Sequence, residues 1–313
     1  MKFIKAIQKS DGAPQNLQRK STRKDVGEDA RISRVLPGLL ADEGLRIGGS
    51  PPSAKTKHSL DQNGAQGPQG PYIPGTPADD LPPYKTAIVD PALVNRHLVA
   101  ITEPVSAFAE EYRDLRTTLL QRSKKQKLNT IAIVSVAPEE GKSVTAINLA
   151  WLLAQTPGVN ALVIDGDMRR PSLCRYLNIE EGPGLSELLD GEAALSDVII
   201  RLEPSGLHLL PGGRTRSDVA EQISGPNFAA ILESAQEGFD YIIIDAPPLG
   251  VFVDAKVLIN QTDGALLVVR RNFTKFKDVD RVLEGLPMQR MLGVVLNQAE
   301  ETLISGRYYY DQY

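Results

Sequence analysis

The sequence holds a single cysteine, Cys174, among 313 residues, so no intramolecular disulfide can form. Nothing near Cys174 marks it as a reactive thiol, and it reads as a passive small residue. Histidine is nearly as scarce: His58, His97 and His208 lie far apart, without the spacing of zinc ligands. Trp151 is the only tryptophan and reads as core rather than as a ligand platform. No apolar run approaches the ~18 residues that cross a bilayer. The start, MKFIKAIQ, lacks the apolar stretch and the small-residue cleavage site of a signal peptide. It suggests instead two helical turns, with Phe3, Ile4 and Ile7 on one side. By elimination the chain reads as cytoplasmic. A formal net charge of −4 argues against nucleic-acid binding driven by bulk electrostatics.

What is present is unevenly distributed. Hydrophobic residues make up 42% of the chain, enough for a sizeable core. Between Ser50 and Tyr84, however, fall 8 of the 22 prolines, with Gly64, Gly67, Gly70 and Gly75 and almost no periodic apolar pattern. Such a stretch cannot repay its ordering entropy and reads as a linker. Ahead of it, Lys2, Lys5, Lys9, Arg19, Lys20, Arg23 and Lys24 face only Asp11, a basic arm suited to a solvated role or to an acidic surface. The expected organisation is a disordered arm over 1–85, one folded domain over 86–300 and a flexible tail over 301–313.

From Thr130 onward, short β-branched apolar runs alternate with amphipathic ones. Strands are predicted at 130–136, 161–164, 207–210, 241–244, 265–269 and 292–296. Helices are predicted at 143–155, 184–189, 227–237, 254–260 and 275–286. Apolar strands separated by helices indicate an α/β fold with a mainly parallel central sheet, flanked by helices on both faces. Ligands in such folds bind beyond the carboxyl ends of the strands.

Three motifs fall there. The first, Val136-Ala137-Pro138-Glu139-Glu140-Gly141-Lys142-Ser143, links a strand to a helix and has the form of a P-loop, with Val136 where a glycine usually leads. Gly141 lets backbone N–H groups approach phosphates, Lys142 neutralises the β- and γ-phosphates and Ser143 can ligate Mg2+. Pro138, Glu139, Glu140, Gly141, Lys142, Ser143 and Val144 are thus the expected nucleotide-binding run. The second motif, Asp165-Gly166-Asp167-Met168-Arg169, sets two carboxylates at a strand end, where a cation or a proton would be managed. The third, Ile242-Ile243-Ile244-Asp245-Ala246-Pro247-Pro248, fits a Walker B strand whose aspartate holds Mg2+. Together they indicate a P-loop NTPase that binds ATP. Asn297, after the last strand, could read adenine through its amide or simply form a turn.

The chain ends in Tyr308-Tyr309-Tyr310-Asp311-Gln312-Tyr313, four of its nine tyrosines in six residues. A terminus so rich in phenols reads as a phosphoacceptor, or else as a sticky docking peptide. With these motifs, residues 90–313 resemble the bacterial tyrosine kinases, or tyrosine autokinases, of capsular and exopolysaccharide export. Glu110-Glu111-Tyr112-Arg113-Asp114-Leu115-Arg116 is similar to that family's Glu-x-x-Arg-x-x-Arg element. The resemblance implies that Lys142 grips phosphates, that Ser143, Asp167 and Asp245 hold Mg2+, and that Asp165 orients or deprotonates the tyrosine hydroxyl. It implies further that Glu110, Arg113 and Arg116 pack subunits into a homo-oligomeric ring when unphosphorylated. In that ring Tyr308, Tyr309, Tyr310 and Tyr313 are phosphorylated in trans. A separate membrane chain-length regulator would recruit and activate the protein at the inner face of the plasma membrane, and a tyrosine phosphatase would reverse the reaction.

Two departures bear on this. Glu139 stands where many relatives have glycine, which adds negative charge near the phosphates. In some relatives a membrane-spanning regulator is fused to the kinase; here the Pro-rich arm is expected to stand in its place. The chief competing reading is a P-loop ATPase switch of the kind that positions division sites and plasmids. Those proteins carry an extra lysine early in the loop, where this chain has Ala137. A weakly catalytic scaffold of an export complex is the third reading.

Overall fold

The computed structural model describes residues 2–5 and 84–299. The expectations for the rest of the arm, and for Tyr308, Tyr309, Tyr310 and Tyr313, lie outside the described residues. In chain order the elements are β1 (Lys2–Lys5), β2 (Lys85–Ile88), α1 (Val99–Thr102), α2 (Ala107–Ser123), β3 (Thr130–Ser135), α3 (Lys142–Ala154), β4 (Ala161–Asp165), α4 (Leu173–Leu177), α5 (Leu185–Leu189), α6 (Leu195–Val198), β5 (Ile200–Glu203), β6 (Leu207–Leu210), α7 (Val219–Ser224), α8 (Pro226–Gly238), β7 (Tyr241–Asp245), α9 (Asp254–Gln261), β8 (Gly264–Arg270), α10 (Phe276–Leu283) and β9 (Met291–Asn297).

The strands form one sheet in the order β1-β9-β8-β3-β7-β4-β6-β5-β2. Its pairings are parallel except at β1/β9 and β5/β6. Every residue of β3, β4, β6 and β7 is buried, as expected of strands covered on both faces. Because side chains alternate along a strand, Ile131 and Ile133 join one core with Trp151 and Leu115, whereas Ala132 and Val134 join the opposite core with Phe228 and Leu258. Trp151 is therefore core, as expected, and so is Cys174, whose thiol is pushed up to about 12 by burial and by the Asp165 and Glu181 charges.

The six expected strands are present, and so is a helix at each of the five expected places. Lys2–Lys5 differs from expectation: it is an antiparallel strand on β9, not helical turns. Two helical turns with nothing to pack against are marginal in water, and β9 would otherwise present an unpaired edge. Strands β2 and β5 and the short helices α1, α4, α6 and α7 were not anticipated. Among the described residues no helix is long and apolar enough to cross a membrane.

Candidate nucleotide and phosphotransfer site

The carboxyl ends of β3, β4 and β7 are neighbours in the sheet, so the three motifs meet although up to ~110 residues separate them. After β3 the loop turns at Gly141, in the left-handed region at φ 95°, and enters α3. A Cβ there would stand 2.0 Å from the Asn297 amide nitrogen, so only glycine fits. Lys142 then reaches back over the strand ends. Its Nζ lies 3.2 Å from Asp167 Oδ2, 3.3 Å from both oxygens of Asp245 and 3.3 Å from Ser143 Oγ.

Asp165, Asp167, Asp245 and Ser143 are all buried here. Burial alone would lower the Lys142 pKa, but the charges of Asp245, Asp167 and Asp165 outweigh it and hold the ammonium up at about 12. The Asp165 carboxyl is pushed up to about 7, by burial first and by the Asp245 charge second. The N–H groups of Ser172 and Leu173, donating to its Oδ2 at 2.7 and 2.9 Å, oppose that rise, as does Lys142. Its other oxygen, Oδ1, is buried without a partner. Asp245 is also raised, by burial, against the pull of Lys142 and a hydrogen bond from Ser143. A cavity of about 210 Å³ adjoins Asp165, walled by Ser172, Cys174, Glu181, Gly212, Arg214 and Thr215.

These residues fit a hydrated divalent cation. Three buried carboxylates face one ammonium, and one carboxylate oxygen is orphaned. Among the described residues no cage of three or more His, Cys, Asp or Glu side chains stands ready for a metal. Mg2+ takes one or two carboxylates and relies on water and phosphate oxygens for the rest, a donor set that Asp167, Asp245 and Ser143 can supply in part.

Other expected site residues are placed differently. Pro138 and Glu139 are exposed on the loop, and Val144 packs partly into the core. The Glu140 side chain is no phosphate neighbour: it is fully buried and turned inward onto the loop's own backbone. The Asn297 amide, considered for adenine, donates to the Glu140 carbonyl at 2.9 Å, while its oxygen accepts from the Gln298 N–H. Glu110 and Arg113 pair on the surface of α2 at 2.5 Å, but Arg116 turns inward, its Nη1 donating to the Leu152 carbonyl at 3.3 Å.

Two contributors escaped sequence reasoning. Asp254, wholly buried at the start of α9, binds Arg169 Nε at 2.6 Å, and the guanidinium lies 4.5 Å from the Phe252 ring centre. This pair ties the second motif to the segment after the third. Asn148, buried in α3, accepts from the Ala100 N–H at 2.8 Å and donates to the His97 carbonyl at 3.0 Å, which fixes α1 against the P-loop helix. A polar residue inside an otherwise apolar helix was the available signal for Asn148; for Asp254 there was none.

Known proteins match this region. A family model described as an AAA domain covers residues 128–284. The tyrosine-protein kinase ptk of Acinetobacter johnsonii is 31% identical over 235 residues, 71% of this chain but 32% of that protein, so the chain spans about a third of that relative. The tyrosine-protein kinase CpsD of Streptococcus pneumoniae serotype 4 is 34% identical over 195 residues, 61% of this chain and 85% of that protein. In structure, the chimerical protein CapA2B2 superposes with a TM-score of 0.62 at 29% identity, over 71% of this chain and 96% of that one. The region matched by the AAA-domain model contains Lys142, Asp165, Asp167 and Asp245 together, and the chain belongs to the bacterial tyrosine-protein kinases.

Proposed function

We propose that the chain transfers the γ-phosphate of Mg2+-bound ATP to its own C-terminal tyrosines, Tyr308, Tyr309, Tyr310 and Tyr313, the tail of one subunit entering the site of another. The observation that carries this reading is the cavity beside Asp165, whose carboxyl sits near neutrality with one oxygen unpartnered. A phenol has a pKa near ~10 and gains from an adjacent base poised close to the working pH. The tyrosine oxygen bonds to the γ-phosphorus as the bond to the ADP oxygen breaks, and the phenolic proton passes to Asp165. Lys142 exchanges its carboxylate partners for the β- and γ-phosphates. Ser143, Asp167 and Asp245 would hold Mg2+, which supplies charge neutralisation on the phosphates. Most of the rate comes from this positioning and charge neutralisation.

In this reading Glu110 and Arg113 serve a ring interface, and a membrane chain-length regulator of a polysaccharide export system recruits and activates the kinase at the inner face of the plasma membrane. A tyrosine phosphatase resets the tail. The test is incubation of the full chain with Mg2+ and ATP, followed by mass-spectrometric mapping of phosphosites. Lys142→Met, Asp165→Asn and a variant with all four tail tyrosines changed to phenylalanine are run alongside. Phosphate on the tail that vanishes in the first two supports the reading. ATP hydrolysis without phosphotyrosine, even with the membrane regulator added, points to the ATPase switch.

A further inference from the structure

Glu140 carries a charge in the middle of the phosphate loop, yet it is fully buried. Its Oε2 accepts from the N–H groups of Val136 and Ala137, at 2.7 and 3.0 Å. Its Oε1 accepts from the hydroxyl of Thr274, a residue beyond β8 and outside all three motifs. The Thr274 hydroxyl in turn accepts from the Arg270 N–H at 2.9 Å. On its other side the loop is held by Asn297, which donates to the Glu140 carbonyl. A buried carboxylate is costly unless every partner is in place, and here they are all supplied by the protein itself.

The first two amides are spent on Glu140, which leaves the later ones, with Lys142, to face phosphates. We propose that Glu140 and Thr274 are positioning residues for the nucleotide. Thr274 clamps the Glu140 carboxylate, and the carboxylate sets the curvature of the loop before ATP or ADP arrives. A purely structural contact would change stability and leave nucleotide affinity untouched.

The full-length protein tests this through ADP binding by calorimetry, which needs no phosphotransfer, together with steady-state kinetics in ATP. Thr274→Val removes the donor at nearly constant volume. It is expected to weaken ADP binding and raise the KM for ATP by about tenfold, the loss of one hydrogen bond to a charged group, with kcat within about twofold. Thr274→Ser restores both. Glu140→Gln probes the same contact from the other end, since its oxygen still serves the two amides. Combined with Thr274→Val, it should cost no more than about twofold beyond the Thr274→Val loss alone, because the two side chains act as one unit. Unchanged ADP affinity and KM in Thr274→Val, a fall in kcat alone, or fully additive losses in the double variant would each overturn the proposal.

Discussion

Glu139 holds a backbone φ of 64° at an exposed position of the loop. For a residue with a Cβ that conformation costs ~1–2 kcal/mol, whereas glycine adopts it freely but loses ~1 kcal/mol more backbone entropy on folding. Glu139→Gly is therefore expected to stabilise the protein by about 0.5 kcal/mol, measured by urea unfolding. ADP should also bind more tightly, because a negative charge has left the phosphate loop. His208 presents the opposite case, a side chain whose cost is hidden inside. It is buried in β6 between Tyr84 and Phe239, with ring centres 5.1 and 5.0 Å away. Burial, aided by the charge of Arg201, lowers its pKa to about 4. A depressed pKa contributes stability that is present above the unfolded value near ~6.5 and lost as pH falls through the folded one. Acidification from about pH 7 to about pH 4.5 should thus lower the Tm of the wild type more than that of His208→Phe. Parallel melting curves over that window would check it. Lys142 and the three aspartates were legible in the sequence because their motifs sit at strand ends. The Glu139 conformation was not, since no pattern in the chain records a φ angle.

Among the elements, α2 shows how a charge stripe divides its tasks. Glu110, Arg113 and Arg116 recur every three residues along this helix, a spacing that aligns them on one side. Packing then draws Arg116 against the C-terminal end of α3, where it meets the Leu152 carbonyl, and leaves Glu110 and Arg113 outside. Arg113→Ala should reduce oligomer size and cost at most about 1 kcal/mol, because it loses only a surface ion pair with Glu110 and one hydrogen bond to the Pro104 carbonyl. Arg116→Ala should instead keep the oligomer size and cost about 1 kcal/mol, since it removes one of the two hydrogen bonds to the Leu152 carbonyl, the other coming from the Thr156 hydroxyl, and takes the arginine stem from the helix contact. Light scattering and urea melts of both single variants separate the two roles, and equal behaviour would place both arginines at the interface or both in the fold. The contrast among strands has a similar origin. Strands β3, β4, β6 and β7 were readable because burial on both faces demands continuous apolar runs. Edge strand β2, with Ile88 84% exposed, carries no such pattern.

For the whole molecule the decisive quantity is charge. The chain is already negative by four, and each phosphate on Tyr308, Tyr309, Tyr310 or Tyr313 adds roughly −1.5 to −2 more. Several such groups on adjacent residues repel one another and the acidic body, so a ring built from unphosphorylated subunits should loosen as its tails are modified. Size-exclusion chromatography with light scattering on phosphorylated and phosphatase-treated protein would measure this, and identical oligomers in both states would refute it.

The sequence alone determined the sheet-and-helix order of the nucleotide-binding region, the three motifs at its strand ends and the family resemblance. Each of these is written in local patterns: β-branched runs, a Gly-Lys-Ser turn, aspartates closing apolar strands. Only the tertiary structure decided which carboxylates share Lys142, that Arg169 is held by Asp254, and that Glu140 turns inward to Thr274. It likewise assigned Asn297 to bracing a loop 157 positions earlier in the chain. Such contacts depend on where strands far apart in sequence end beside one another, and on the cost of burying a polar group without a partner. No local pattern encodes either.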